Sequence, residues 1–191
     1  IRVSVVHGHL AFARHPVMVG HYAGDTIAGA ERALDRALDG RLTERRQLGL
    51  YPGALGTSLV ILDRGKKPCG AVVVGLGDQA DLAPGTLAGT LRRGILAYSV
   101  DDRDAERADK AKGIRGLSAL LVGSGDGGLP LSSCVDALLD AVLDAQRVLE
   151  SDGLVELEIL DLVESRAIRA WHQLARAVQS SEFRKSLELD P

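Results

Sequence analysis

Two stretches of this sequence gather residues suited to holding a ligand. One is Gly20-His21-Tyr22-Ala23-Gly24-Asp25-Thr26-Ile27-Ala28-Gly29-Ala30, and the other is Gly123-Ser124-Gly125-Asp126-Gly127-Gly128-Leu129-Pro130. Glycine lets backbone N–H groups approach a guest with no Cβ in the way. Each stretch precedes a segment with helical spacing, and a helix N-terminus attracts negative charge. A diphosphate or another small anion is the guest such loops suit. The candidate ligand-binding residues are Gly20, His21, Gly24, Asp25, Thr26 and Ile27 in the first stretch. In the second they are Gly123, Ser124, Gly125, Asp126, Gly127 and Gly128. Tight turns that need glycine explain either loop taken alone. Two such loops, each at a strand end and each feeding a helix, point more firmly to a site.

Other chemistry is thinner. Asp25 and Asp126 would make an acid/base pair across the two loops, or each simply serves a cap or turn. His7, His9, His15 and His21 lie close in sequence, so a metal site competes with scattered core and surface histidines. Cys134 falls in the first turn of a helix, where a thiol pKa can drop, but no histidine stands near it in sequence. Cys69 and Cys134 are the only cysteines, and they lack the spacing of a zinc site or a disulfide framework. Reduced thiols fit a cytoplasmic location. There is no Gly-x-Ser-x-Gly elbow and no HExxH, and Ser124 has no assignable base. No catalytic residue, metal ligand or cofactor is assigned.

The chain has 191 residues, 46% hydrophobic and 26% charged, which suits one ordinary globular domain with a full core. A formal net charge of -3 argues against nucleic acid as a partner. Arg41, Arg45 and Arg46 read as a solvated helix end. No apolar run approaches the roughly 20 residues that span a bilayer, so no membrane partner is expected. The sequence opens on Ile1, as expected of one module cut from a longer protein. The rest of that polypeptide, or a separate protein, is then the natural partner.

The elements that must carry the two loops follow from hydrophobic periodicity. Strands are expected near 2–6, 16–20, 57–62, 71–75, 117–122 and 154–160. Helices are expected over 26–39, 84–98, 132–151 and 163–178. Asp25 or Thr26 would cap the first helix and Gly40 would end it. Ser133 and Asp136 have capping-box spacing for the third. Residues 101–112 hold nine charges in twelve positions, which reads as a solvated loop or ragged helix end. Val155, Leu157 and Ile159 alternate with Glu156 and Glu158, the pattern of a half-exposed strand. Residues 1–179 form the α/β domain, and 180–191 are a polar tail expected to fray. Strands alternating with helices give a mostly parallel sheet covered on both faces.

Leu121-Val122-Gly123-Ser124-Gly125-Asp126-Gly127-Gly128-Leu129-Pro130 resembles the macro-domain loop that wraps the phosphates of ADP-ribose. The segment from Val17 to Leu42 is similar to that family's first ligand loop and helix, and His7-Gly8-His9-Leu10 stands where Gly-Asp-Ile is common. Gly29-Ala30-Glu31 through Leu42, with Val72-Val73-Val74-Gly75-Leu76-Gly77, resembles the N-terminal domain of leucine aminopeptidases, which has a macro-like fold and a regulatory or assembly role. The order of the loops is also similar to modules of large bacterial caspase-like CHAT proteins. These resemblances imply a three-layer macro-domain-like α/β fold. They imply a non-catalytic, ligand-sensing or regulatory module that binds a nucleotide- or ADP-ribose-like anion. An ADP-ribose-processing hydrolase and an assembly domain with vestigial loops are the alternatives. Hydrolases of the family use an asparagine after the second strand. This sequence has none and carries His21 and Tyr22 there, with His9 in place of the aspartate expected near the adenine.

Overall fold

The computed structural model describes residues 1–109, 115–125, 128–179 and 183–190, with the side chains of 105–109 outside the description. Seven strands form one sheet in the order β3-β4-β2-β5-β6-β1-β7. They are β1 (Arg2–His7), β2 (Val17–His21), β3 (Ser58–Leu62), β4 (Gly70–Gly75), β5 (Gly116–Leu120), β6 (Glu156–Asp161) and β7 (Glu188–Leu189). Every pairing is parallel except β3 with β4. The helices are α1 (Gly29–Ala37), α2 (Arg41–Gln47), α3 (Pro84–Asp109), α4 (Leu131–Leu149) and α5 (Glu164–Val178).

Alternation along the strands splits the core into two layers. Met18, Val72, Val74, Leu117, Ala119, Leu157 and Ile159 point into one cluster with α3, α4 and α5. Val17, Val19, Ala71, Val73 and Leu160 point the other way, onto Ile27 and the buried face of α1 and α2. β4 is buried at all six positions, as its unbroken apolar run requires when both faces are covered. The three-layer mixed sheet expected from the sequence is the observed fold.

Several expectations are corrected. Neither Asp25 nor Thr26 caps α1: both lie in an exposed turn, and the N-cap is Ala28 with no side-chain hydrogen bond. The capping box of α4 is not made either, because Pro130 is the N-cap and the Asp136 carboxylate accepts from Gln173 Nε2 at 2.8 Å. α2 is a helix of its own, and only its Leu42 is buried. Within the charged stretch, α3 runs on to Asp109 and Asp102 is only 3% exposed. Asp102 is tolerated there because Arg64 Nη2 lies 3.3 Å away and the Arg115 N–H donates to it at 3.3 Å. Positions 110–112 of that stretch lie outside the described residues.

Glu158 is not half-exposed: it is 2% exposed. Its carboxylate accepts from the Arg14 N–H at 3.1 Å, Arg14 Nε at 2.8 Å and the Ser118 hydroxyl at 2.5 Å. Burial pushes its pKa up, but these hydrogen bonds and the Arg14 charge outweigh burial and hold it below the ordinary carboxylate value. The tail also departs from expectation. The Glu188 N–H donates to Ile1 O at 2.9 Å, β7 pairs with β1, and Leu187 is 5% exposed. Phe183 packs partly buried against the larger cluster, so residues 183–190 are part of the fold.

Candidate functional site

Parallel strands β2, β5, β6 and β1 all end on one side of the sheet, and a cleft opens there. Its larger lobe, about 400 Å³, lies between the turn after β1, the start of α1, the loop after β5 and the start of α5. A smaller lobe of about 220 Å³ continues toward β2 and β4. The lobes share Ala30, Leu120, Leu121 and Gly125, so they form one concavity. The combined volume falls in the range of small-molecule sites.

The two glycine-rich loops meet because β2 and β5 are hydrogen-bonded neighbours. Gly20, Gly123, Ser124 and Gly125 line the cleft. The expectation that both following helices aim at it holds for one only. The first residues of α1, Gly29 to Glu31, line the cleft, and no side chain caps them. Their N–H groups have no intrahelical partner, which leaves donors for an anion. The start of α4 instead borders a different hollow with Arg169, His172 and Arg176. α4 begins only at Leu131, and neither Leu131 nor Ser132 lines the cleft.

His21 is turned out of the cleft. Positions 17, 19 and 21 face the α1 layer, which puts the imidazole beneath that helix at 5% exposure. Its Nδ1 lies 3.0 Å from the Glu31 carboxylate, and the Tyr51 hydroxyl donates to Glu31 Oε1 at 2.6 Å. Burial first, then the Glu31 carboxylate, pushes the Tyr51 pKa far up, so the phenol stays a donor. Gly24 and Asp25 share a shallow separate hollow with His21 and Tyr51. Thr26 is exposed and lines neither lobe, while Ile27 is a core residue at 7% exposure. Gly128 is exposed with φ +77°. Asp126 and Gly127 lie outside the described residues.

Sequence reading missed Arg166 and Asp161. Arg166 Nε donates to Asp161 Oδ2 at 2.9 Å, Nη2 to the Ser124 hydroxyl at 2.6 Å and Nη1 to Ser124 O at 3.2 Å. One guanidinium thus pins the second loop to the end of β6. The available signal was the rule that placed the other loops: Arg166 is in the first turn of a helix that follows a parallel strand. The histidines do not converge. His7 meets Leu162 O, His9 accepts from the Ala11 N–H, His15 pairs with Glu156 and His21 with Glu31. Cys134 is 2% exposed, and burial pushes its thiol up to about 11, the wrong direction for a nucleophile.

No protein-family model matches this chain. In sequence it is 31% identical over 175 residues to a probable cytosol aminopeptidase of Stenotrophomonas maltophilia, covering 84% of this chain and 33% of that protein. It is 33% identical over 93 residues to the corresponding protein of Ralstonia pickettii, covering 48% of this chain and 18% of the relative. The chain therefore spans a third or less of these relatives' length. In structure it is similar to an Oceanobacillus iheyensis macrodomain, with TM-score 0.65, 16% identity, and 92% and 88% of the two chains covered. A Trypanosoma brucei macrodomain in complex with ADP-ribose gives TM-score 0.64 and 14% identity over 91% of this chain and 68% of that one. The same macrodomain in complex with ADP gives 0.63 and 15% over 91% and 69%. The fold is the macrodomain fold, and the sequence is aminopeptidase-like.

Proposed function

We propose that this chain is a non-catalytic, ligand-sensing module of a larger cytoplasmic protein and binds an ADP-ribose- or nucleotide-like anion in the two-lobed cleft. The observation that carries the reading is the uncapped N-terminus of α1 opening on a cleft bordered by Gly20, Gly123 and Gly125. Backbone N–H groups there would receive the diphosphate, with the larger apolar lobe open for a nucleoside. Macrodomains of the same fold are bound to ADP-ribose and ADP, which supports the choice of guest. Occupancy would be read by the rest of the polypeptide or by a protein partner.

The non-catalytic part rests on the carboxylates that line the cleft among the described residues. Asp161 is held by Arg166, and Glu31 is held by His21 and Tyr51. Neither is placed as an unengaged general base. Calorimetry with ADP-ribose should give a saturable isotherm, and ADP-ribose should be recovered unchanged. A flat isotherm with both ADP-ribose and ADP would retire the proposal. The aminopeptidase-like sequence favours a second reading, an assembly domain whose loops hold no ligand. Failure of both titrations, together with self-association by sedimentation, would put that reading first.

A further inference from the structure

A second hollow, apart from the two-lobed cleft, opens where β2 ends. It holds about 200 Å³ and lies between the turn at Asp25, the last turn of α2 at Arg46 and the loop at Tyr51. That is several times the roughly 30 Å³ one water takes up in the liquid, so a small organic guest fits. His21 is the buried member of its lining. Only 6% of its side chain is exposed, and Nδ1 lies 3.0 Å from the Glu31 carboxylate. The Tyr51 hydroxyl donates to that carboxylate too, and its ring stands edge-on to the imidazole with centroids 4.8 Å apart. A carboxylate facing Nδ1 holds the proton there and leaves the lone pair of the neutral ring on Nε2. Nε2 meets no polar atom among the described residues, yet it is not sealed from solvent. Glu31 accounts for one nitrogen of the ring, and no described residue accounts for the other.

Two opposite charges stand beside that nitrogen. Asp25 and Arg46 are both exposed and both line the hollow. Neither makes a side-chain hydrogen bond or ion pair among the described residues, so the two are not spent on each other. The Arg46 charge is felt at the Tyr51 phenol. A simple anion would be drawn to Arg46 and repelled by Asp25, and a simple cation the reverse. A guest that carries both charges close together satisfies both.

We infer that this hollow binds a small zwitterion, a free α-amino acid. Its ammonium, with three donors, sits between the Asp25 carboxylate and the His21 Nε2 lone pair. Its carboxylate meets the Arg46 guanidinium, whose fork matches two carboxylate oxygens. The site is independent of the nucleotide reading, because His21, Asp25 and Arg46 line neither lobe of the cleft.

Titration of the ¹⁵N-labelled whole chain with L-alanine reads the site through the amide shifts of Gly24, Asp25 and Gly49. The shifts should saturate with a dissociation constant on the order of millimolar, as suits so small a guest. Acetate and ethylamine each carry one of the two charges, and each should bind at least roughly tenfold more weakly than L-alanine. Asp25→Asn and Arg46→Gln, both at exposed positions, should each weaken L-alanine at least about threefold with the melting temperature unchanged. Saturating ADP-ribose should leave the L-alanine shifts in place. Absence of a saturable shift up to about 100 mM L-alanine would overturn the inference. So would acetate or ethylamine binding as tightly as L-alanine, or either variant binding it as the parent does. Displacement of L-alanine by ADP-ribose would move the amino acid to the cleft and overturn it equally.

Discussion

The two glycine-rich loops look alike in sequence and are built differently in space. At Gly20, on the first, an added Cβ would stand 2.5 Å from Val122 Cγ1 and 2.6 Å from Leu76 Cδ1. At Gly125, on the second, an added Cβ would meet nothing within 4 Å among the described residues, and φ there is not in the left-handed region. Packing requires the first glycine. Neither packing nor backbone geometry requires the second. The same contrast runs through the neighbours: His21 is sunk under α1 against Glu31, whereas the second loop is pinned from outside by the Arg166 side chain. A glycine-rich motif can thus serve core packing at one point and leave backbone open to a guest at another. Letters alone do not separate the two roles.

Gly20→Val should give the largest loss of stability. Two methyl groups would enter a space already filled by Val122 and Leu76, and overpacking of this kind costs about 2–3 kcal/mol. Thermal unfolding would register a fall of several degrees for a domain of this size. A melting temperature equal to the parent's would show that the first loop is as unconstrained as the second, and the contrast would be lost.

His21→Leu should cost less, about 1–2 kcal/mol, because Glu31 keeps the Tyr51 hydroxyl and the positive end of α1 as partners. Its sharper consequence is for binding. The imidazole lies on the far side of α1's first turn, so the dissociation constant for ADP-ribose should stay within about twofold of the parent's. A loss of tenfold or more would return His21 to the ligand site.

Arg166→Leu should cost about 1 kcal/mol, since its side chain is 28% exposed and each bond it makes is partly offset by water. The loop it holds should open, so amide exchange at Ser124 and Gly125 should speed up while β5 stays protected. Arg166→Lys should not restore protection, because one ammonium cannot span Asp161 and both oxygens of Ser124. Unchanged exchange in both variants would mean that the second loop is held by its own backbone.

Much of this architecture could be read from the chain. The unbroken run around Val72–Val74 marks a strand buried on both faces, and the apolar spacing of α4 and α5 marks amphipathic helices. What escaped depends on long-range partners. The burial of Glu158 needs Ser118, which arrives when β5 and β6 pair, and Arg14, which comes from the segment just before β2. β7 has two residues and forms only because Leu187 docks on the core beside β1. α2 escaped because Leu42 is its single buried position among charged neighbours. The meeting of the two loops followed from the rule for strand ends. Arg166 did not, because its place beside Ser124 depends on the strand order β5-β6.

The smallest change in stability belongs to Gly125→Val. With no described residue within 4 Å of the added Cβ and an ordinary φ, the variant should unfold within about 0.5 kcal/mol of the parent. Gly125 nevertheless borders both lobes of the cleft, so the new isopropyl group would project where the guest has to pass between them. On the proposed binding mode, a β-branched side chain there would occupy volume that the ligand needs and would screen the neighbouring N–H groups from its phosphates. ADP-ribose affinity should therefore fall at least roughly tenfold while the melting curve stays in place. The two readouts divide the outcomes. A destabilised variant would mean that Gly125, like Gly20, is held by packing, and the contrast between the loops would fail. A stable variant that binds as the parent does would place the guest elsewhere in the protein. Stability kept and binding lost would assign the second loop to the ligand and leave the first to the core.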